Sequence, residues 1–398
     1  MVDYLIIGGG IIGLNVAKVL IEKEPLAKIT LIEKERDVGM HGSGRNSGVL
    51  HAGFYYTADS LKAKFTKEGN ARLKAFCKER GLMINECAKV VVAQNAQEVA
   101  GLEELKRRGD ANGVEMSWMS EEALHVRFPL IKTHQKALFS PTTATVDPLA
   151  VTKAFKQYVI EKGVSVLSGT KYLSKLQEGE VRTSGGVIAY KKLINCAGLY
   201  ADKIAQDFGF AKEFTIIPFK GIYLKDEKNR CGLSTNVYPV PNLANPFLGV
   251  HYTLTVHNEA KIGPTAIPAF WRENYKGFDN FQLNELMQIL FYEAKLFLSN
   301  AFGFRALALS EVRKYVKSHL LDLAKGLTHE IEHSGFDHWS TPGIRAQLLN
   351  VSTLELVQDF VVQGDEKSVH VLNAVSPAFT SSMPFAEWVV EHYVCKRA

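Results

Sequence analysis

The chain opens on two apolar runs joined by an amphipathic stretch. Residues 4–7 read Tyr-Leu-Ile-Ile without a break, the pattern of a short strand buried on both faces. Residues 11–21 are mostly apolar with Lys18 as the one charge, which predicts a largely buried helix. Residues 28–32 form a second strand-like run that ends at Glu33. Further on, residues 60–80 alternate polar and apolar positions as a helix closed by Gly81. Residues 90–93 predict a strand, residues 96–127 a charged helical stretch, and residues 128–141 a loop. Asp147 followed by Pro148 reads as a helix cap with proline in the first turn, opening a helix through residue 161. Short strands are expected at residues 164–167 and 187–195.

From residue 214 the pattern changes to short alternating runs at 215–218, 221–224, 236–240, 249–256 and 260–263, which predicts an antiparallel sheet. Residues 281–325 lack proline and place Leu283, Leu286, Leu290 and Phe291 at helical spacing, as a helical region packed on that sheet. Its last part is a candidate cover for a substrate entrance. A returning strand at 369–374 leads into a C-terminal helix over about 381–394.

The link between the first two strands is Gly8-Gly9-Gly10 followed by Gly13, and each element suits a dinucleotide. Gly8 permits the tight turn, Gly10 lets the backbone approach a pyrophosphate, and Gly13 lets helix and strand pack closely. The helix N-terminus faces the anion, and Glu33 can accept both ribose hydroxyls. A carboxylate there disfavours NADP, whose extra phosphate it would repel. Residues 42–56 then read GSGRNSGVLHAGFYY. Small residues such as Ser43, Gly44, Asn46 and Ser47 allow close backbone approach to a flat ligand and offer N–H and hydroxyl groups to phosphate.

On this segment the chain resembles the D-amino-acid-oxidase-like superfamily of FAD-dependent oxidoreductases, and within it the L-2-hydroxyglutarate oxidase/dehydrogenase group. Asn46-Ser47-Gly48-Val49, His51-Ala52-Gly53 and Tyr55-Tyr56 carry the likeness. Asn195 to Asp202 is similar to a second flavin-contacting motif that includes Ala197 and Gly198. Pro218-Phe219-Lys220-Gly221, Pro239-Val240-Pro241, Phe247-Leu248-Gly249-Val250-His251 and Gly263-Pro264-Thr265-Ala266 resemble substrate-domain segments. Gly343-Ile344-Arg345-Ala346-Gln347 and the segment from Ser376 to Ser382, with Pro377, Thr380 and Ser381, match the last two motifs. Arg45 stands where relatives have His, Lys220 replaces Arg, and Ile222 replaces an acid; all three bear on substrate identity.

The resemblance implies an α/β fold: a discontinuous Rossmann-like FAD-binding domain (residues 1–85, 141–213 and 335–398) with an inserted antiparallel-sheet substrate domain (residues 86–140 and 214–334). It implies non-covalent FAD and oxidation of L-2-hydroxyglutarate to 2-oxoglutarate by hydride transfer to flavin N5. The alternatives are an amino-acid or glycerol-3-phosphate oxidoreductase of the same superfamily, or a flavin-binding partner protein without turnover. A hydroxyl proton needs a base, so histidines in the site favour a hydroxy acid over an amine. His51 is the preferred base and His251 the second candidate; covalent flavin attachment is a third reading of His51. Arg345 is the leading carboxylate clamp, also counted among residues at the cofactor, with Lys220, Arg45 and Tyr55 as further substrate contacts. The C-terminal helix N-terminus, placed beneath the flavin, would stabilise reduced flavin. Electrons would pass to oxygen or a quinone.

Composition narrows this picture only slightly. The net charge of +5, from 47 basic and 42 acidic residues, comes with no basic run of the sort that tracks nucleic acid. A mildly basic surface is compatible with peripheral contact at the inner face of the cell membrane. The five cysteines show no metal or disulfide spacing and read as reduced thiols in a cytoplasmic protein; no metal site is expected among the 12 histidines. Residues 4–21 lack the positive leader of a signal peptide, and no run has the length of a membrane span.

Overall fold

A computed structural model of the protein describes residues 1–241 and 249–395. Phe247 and Leu248, the start of one recognised segment, lie outside the described residues. The first strand is Val2–Ile7, paired in parallel with Ile29–Glu33 on one side and Gly186–Asn195 on the other. Ser165–Ser168 and Ser368–Asn373 extend the parallel order at either end. All residues of Ile29–Glu33 and Ser368–Asn373 are buried, as parallel strands covered on both faces require. Helix Ile11–Lys23 follows the glycine turn. The C-terminal helix Ala378–Val389 packs against both it and helix Leu61–Glu79, where Phe65, Phe360, Phe385 and Trp388 cluster. The Asp147 cap forms as read: its carboxylate accepts from the N–H groups of Leu149 and Ala150.

The second sheet has eight strands among the described residues. Its order is His338–Trp339, Leu224–Asp226, Ala260–Gly263, His251–Leu254, Asn236–Pro239, Lys89–Val92, Lys136–Ser140 and Ser117–Ser120. All neighbours are antiparallel except Asn236–Pro239 with Lys89–Val92, which are parallel. The sheet is therefore mixed at the one joint where two separate stretches of chain meet.

Two of these strands lie where the pattern reads as helix and loop. Helix Ala96–Ala111 stops before Gly113, which takes a positive φ of 63°, and the chain then turns into Ser117–Ser120, paired with Lys136–Ser140. Phe214–Gly221 does not join this sheet. It pairs with Gly343–Asn350 and Ile267–Pro268 in a three-stranded sheet of its own. A hairpin of Tyr172–Gln177 and Glu180–Thr183, too polar to announce itself, folds onto the start of Gly186–Asn195. His338–Trp339 pairs with Leu224–Asp226, so the second sheet draws a strand from beyond residue 335.

Helices Leu283–Ser299, Phe304–Arg313 and Lys317–Lys325 fill the region read as helical. Just before them, Arg272 makes a two-point pair with Asp202 at 2.6 and 2.7 Å, both side chains almost wholly buried, and also donates to the Leu199 carbonyl. This ties the segment leading into those helices to the short helix Ala201–Asp207 beside the first sheet.

Candidate active site at the edge of the parallel sheet

The parallel register sets Ile7 against Ile32 and Asn195, so Gly8 enters its turn between the ends of two neighbouring strands. Gly8 has a φ of 108°, and a Cβ there would lie 2.5 Å from the Cys196 carbonyl oxygen. A Cβ on Gly13 would lie 2.1 Å from the Gly8 oxygen. Both positions therefore require glycine. Glu33 is held by two backbone donors: Gly9 N–H reaches Oε2 at 2.8 Å and Glu35 N–H reaches Oε1 at 2.9 Å. Ser43 Oγ accepts from Ile11 N–H at 2.8 Å, which draws the small-residue segment to the helix N-terminus.

A cavity of about 960 Å³ runs from this turn toward the second sheet. Gly8, Gly10, Glu33, Ser43, Asn46 and Ser47 line it, as do Ala197, Gly198, Pro377 and Thr380. His51, Tyr55, His251, Arg345 and Arg45 line it too, so strands from distant parts of the chain bring the anticipated residues together. Four anticipated residues do not line it. Gly13 acts by close packing, and Gly44 sits against Gly39, whose oxygen would be 2.2 Å from an added Cβ. Ser381 is wholly buried, with its hydroxyl 3.2 Å from that of Thr66 on the neighbouring helix.

Lys220, the fourth, is expected at the substrate but faces away from the cavity. Phe219 and Gly221 line the cavity, and strand alternation turns Lys220 between them to the other face, where Nζ donates to Asn274 Oδ1 at 3.2 Å. Arg45 reaches the cavity but is engaged locally. It donates to the carbonyls of Met40 and Pro342 at 2.6 and 3.3 Å and lies 4.2 Å over the Tyr275 ring.

The two histidines that were candidate bases differ in what surrounds them. His251 Nδ1 lies 2.7 Å from the Gly249 carbonyl oxygen. A carbonyl only accepts, so Nδ1 carries the hydrogen and Nε2 keeps a free lone pair. The ring stacks on Tyr238 at 3.7 Å, and burial pulls its pKa down to about 3. His51 is anchored by its backbone N–H donating to Thr380 Oγ1 at 3.2 Å. Its Nδ1 is 3.5 Å from Lys89 Nζ. Burial first, then the charges of Lys89 and His251, push its pKa well below the ordinary histidine value.

Lys89 is itself fully buried, 4.0 Å over the Tyr238 ring and 5.2 Å over that of Tyr55, and burial lowers its pKa to about 7. The Tyr55 hydroxyl is buried without a hydrogen-bond partner among the described residues. Arg345 sits opposite Phe219 in the three-stranded sheet and donates from Nε to Gln347 Oε1 at 3.0 Å. Burial lowers its pKa to about 10 despite the opposing influence of Tyr56. Lys62, in the first turn of its helix, also lines the cavity.

Lys62, Lys89 and Tyr238 carry no motif. Lys62 reads as a solvated lysine on an amphipathic helix. The signal at Lys89 was alternation: it precedes three valines and shares a strand face with Val91, which belongs to the core. Glu35, His41 and Glu273 also converge, with ligand atoms within 4.8 Å of one another. Lys34 Nζ already bridges the two carboxylates at 2.6 and 2.5 Å, so the group reads as an ion-pair cluster.

The model of the FAD dependent oxidoreductase family matches residues 3–392. The chain belongs to that family. It is 35% identical over 405 residues to the L-2-hydroxyglutarate dehydrogenase of Escherichia coli strain K12, covering 98% of this chain and 92% of that protein. It is 33% identical over 419 residues to the mitochondrial L-2-hydroxyglutarate dehydrogenase of Homo sapiens, covering 98% and 88%. Among solved structures, the L-alpha-glycerophosphate oxidase of Mycoplasma pneumoniae with FAD bound superposes with a TM-score of 0.76 at 22% identity, covering 98% of this chain and 94% of that one. Glycine oxidase of Geobacillus kaustophilus gives 0.70 at 16% identity, covering 100% and 99%. The protein is an FAD-dependent enzyme of this family, and the Gly8–Gly13 turn, the held Glu33 carboxylate and the long cavity fit that cofactor.

Proposed function

We propose that this enzyme oxidises L-2-hydroxyglutarate to 2-oxoglutarate. One observation carries the reading: the free Nε2 lone pair of His251 belongs to a side chain that lines the same cavity as the Arg345 guanidinium. A hydroxy acid needs both, an acceptor for the hydroxyl proton and a planar donor for the carboxylate. The named relatives support the same substrate.

Bound FAD supplies the oxidant that takes hydride from the substrate α-carbon at N5. Arg345 holds the α-carboxylate. His251 Nε2 accepts the hydroxyl proton. His51, with a cationic neighbour at Nδ1, carries its hydrogen on Nε2 and donates to the substrate oxygen. This moves the base from His51, the first choice on sequence, to His251. Glu33 holds the adenosine ribose, and the flavin stays non-covalent, so acid precipitation releases it.

The test is anaerobic mixing while following the yellow oxidised-flavin band. L-2-hydroxyglutarate should bleach it, and D-2-hydroxyglutarate, glycine, D-amino acids and glycerol 3-phosphate should not. Faster bleaching by glycerol 3-phosphate or an amino acid would replace this reading with the alternative.

We infer further that the protein is cytoplasmic and held peripherally on an anionic membrane surface, with oxygen or a quinone as acceptor. No helix among the described residues is long and apolar enough to cross a membrane. Helices Leu283–Ser299 and Phe304–Arg313 expose Met287, Phe291, Leu298 and Leu309 beside exposed Lys295, Arg305 and Arg313. An apolar face edged with basic residues suits an anionic bilayer. Co-sedimentation with phosphatidylglycerol vesicles but not with phosphatidylcholine vesicles is the expected result.

A further inference from the structure

Lys62 is the second residue of helix Leu61–Glu79 and is 5% exposed, yet it lines the cavity. Its ammonium makes no hydrogen bond or ion pair among the described residues and lies 5.8 Å over the Tyr56 ring. The acid in reach, Asp359, is committed elsewhere, accepting from the N–H groups of Leu61 at 2.9 Å and Phe360 at 2.8 Å. A buried ammonium without a counter-ion is costly, and a cavity-facing one is served by an anion that arrives with a ligand.

A second cation lines the same cavity. Arg345 from the three-stranded sheet acts on both Lys62 and Tyr56. The groups facing Lys62 are Arg345 from its strand, Asp359 from the segment that caps the helix, and Tyr56 from the end of the glycine-rich segment. Burial and then the Arg345 charge lower the Lys62 pKa to about 7, against a smaller opposing effect of Asp359. Two cations on one cavity suit a ligand with two anionic ends.

We propose that Lys62 binds the distal carboxylate of a 2-hydroxy dicarboxylate whose α-carboxylate lies on Arg345. The proposal rests on the substrate reading above and supplies the selectivity-determining residue that Lys220 does not. Lys62 acts on the substrate chain length and charge, not on the oxidation step.

The test compares holoenzyme and Lys62→Met on L-2-hydroxyglutarate and L-2-hydroxybutyrate, with the binding of glutarate, a non-reacting dicarboxylate, measured by calorimetry. The ratio of kcat/KM for the dicarboxylate over the monocarboxylate should fall roughly 10–100-fold, the range of a charge-assisted hydrogen bond. Glutarate binding should weaken by a similar factor, and Lys62→Arg should recover part of both. In wild type the dicarboxylate kcat/KM should decline above about pH 7, as Lys62 loses its proton. That limb should be absent in Lys62→Met. An unchanged ratio with unchanged glutarate affinity overturns the role of Lys62 while leaving the substrate reading standing. If wild type is not reduced by L-2-hydroxyglutarate, the substrate reading fails on its own, and glutarate affinity still decides whether Lys62 holds a carboxylate.

Discussion

Lys89 Nζ lies 3.5 Å from His51 Nδ1, and both groups are buried in one aromatic enclosure formed with Tyr55 and Tyr238. A cation against Nδ1 disfavours a hydrogen there and disfavours the imidazolium as a whole. Lys89→Met should therefore raise the His51 pKa toward the ordinary value of about 6.5. The check is NMR titration of the histidines in the holoenzyme, with His51→Asn to assign the signal. A His51 titration that does not move would show that burial alone sets it.

The same lysine links pH to stability. Its folded pKa, lowered to about 7, lies below the unfolded value of about 10.4. Between these values the unfolded chain binds more protons than the folded one, so stability rises with pH across about 7–10. Lys62 adds a term of the same sign. Thermal unfolding of Lys89→Met should show a higher Tm at pH 7 and a flatter pH slope than wild type.

His251→Asn should retain FAD and slow flavin reduction by roughly 10²–10⁴-fold, the usual span of general-base catalysis. His51→Asn should cost less, since it removes a donor and not the proton acceptor. Because burial holds His251 to about 3, the wild-type rate should show no rise through pH 6.5. A larger loss in His51→Asn, measured by stopped-flow reduction, would return the base to that residue.

Glu33→Ala removes the acceptor of the Gly9 N–H as well as the proposed ribose contact. FAD affinity should fall at least tenfold, given roughly 1.5–3 kcal/mol for a charge-assisted hydrogen bond. Flavin content after prolonged dialysis reads this directly.

Arg272→Met leaves Asp202 buried without its partner, although neither residue lines the cavity. A loss of about 3–5 kcal/mol is expected in denaturant unfolding, the range for breaking a buried ion pair from one side. The double variant Arg272→Met with Asp202→Leu should recover much of it.

The parallel core was legible because its signals are local: an apolar run, a glycine turn and an acid at a fixed spacing. The same holds for Asp147-Pro148 and for the motifs that bring Ala197, Pro377 and Thr380 to the cavity. What escaped depends on pairing between distant segments. Lys220 was placed by its motif, but its face follows from the register of Phe214–Gly221 with Gly343–Asn350, and one position along the strand reverses the outcome. Lys62 and Lys89 look like solvent lysines until Asp359 and the aromatic rings arrive from elsewhere in the chain. Ser117–Ser120 and Lys136–Ser140 are short and partly polar, and only their pairing with each other and with Lys89–Val92 makes them strands.

The central parallel sheet is closed by Ser368–Asn373, and the helix after it supplies the Thr380 hydroxyl that anchors His51 and in turn donates to the Val49 carbonyl. During synthesis the glycine turn therefore leaves the ribosome long before its enclosing walls exist. At roughly 5–20 residues per second, this chain takes on the order of 20–80 s to emerge. From about the midpoint of that time until Ser368–Asn373 emerges, the nascent chain exposes an unfinished sheet edge at Gly186–Asn195. The cavity walls are thus completed only by the last part of the chain, and flavin supplied after release should serve as well as flavin present throughout.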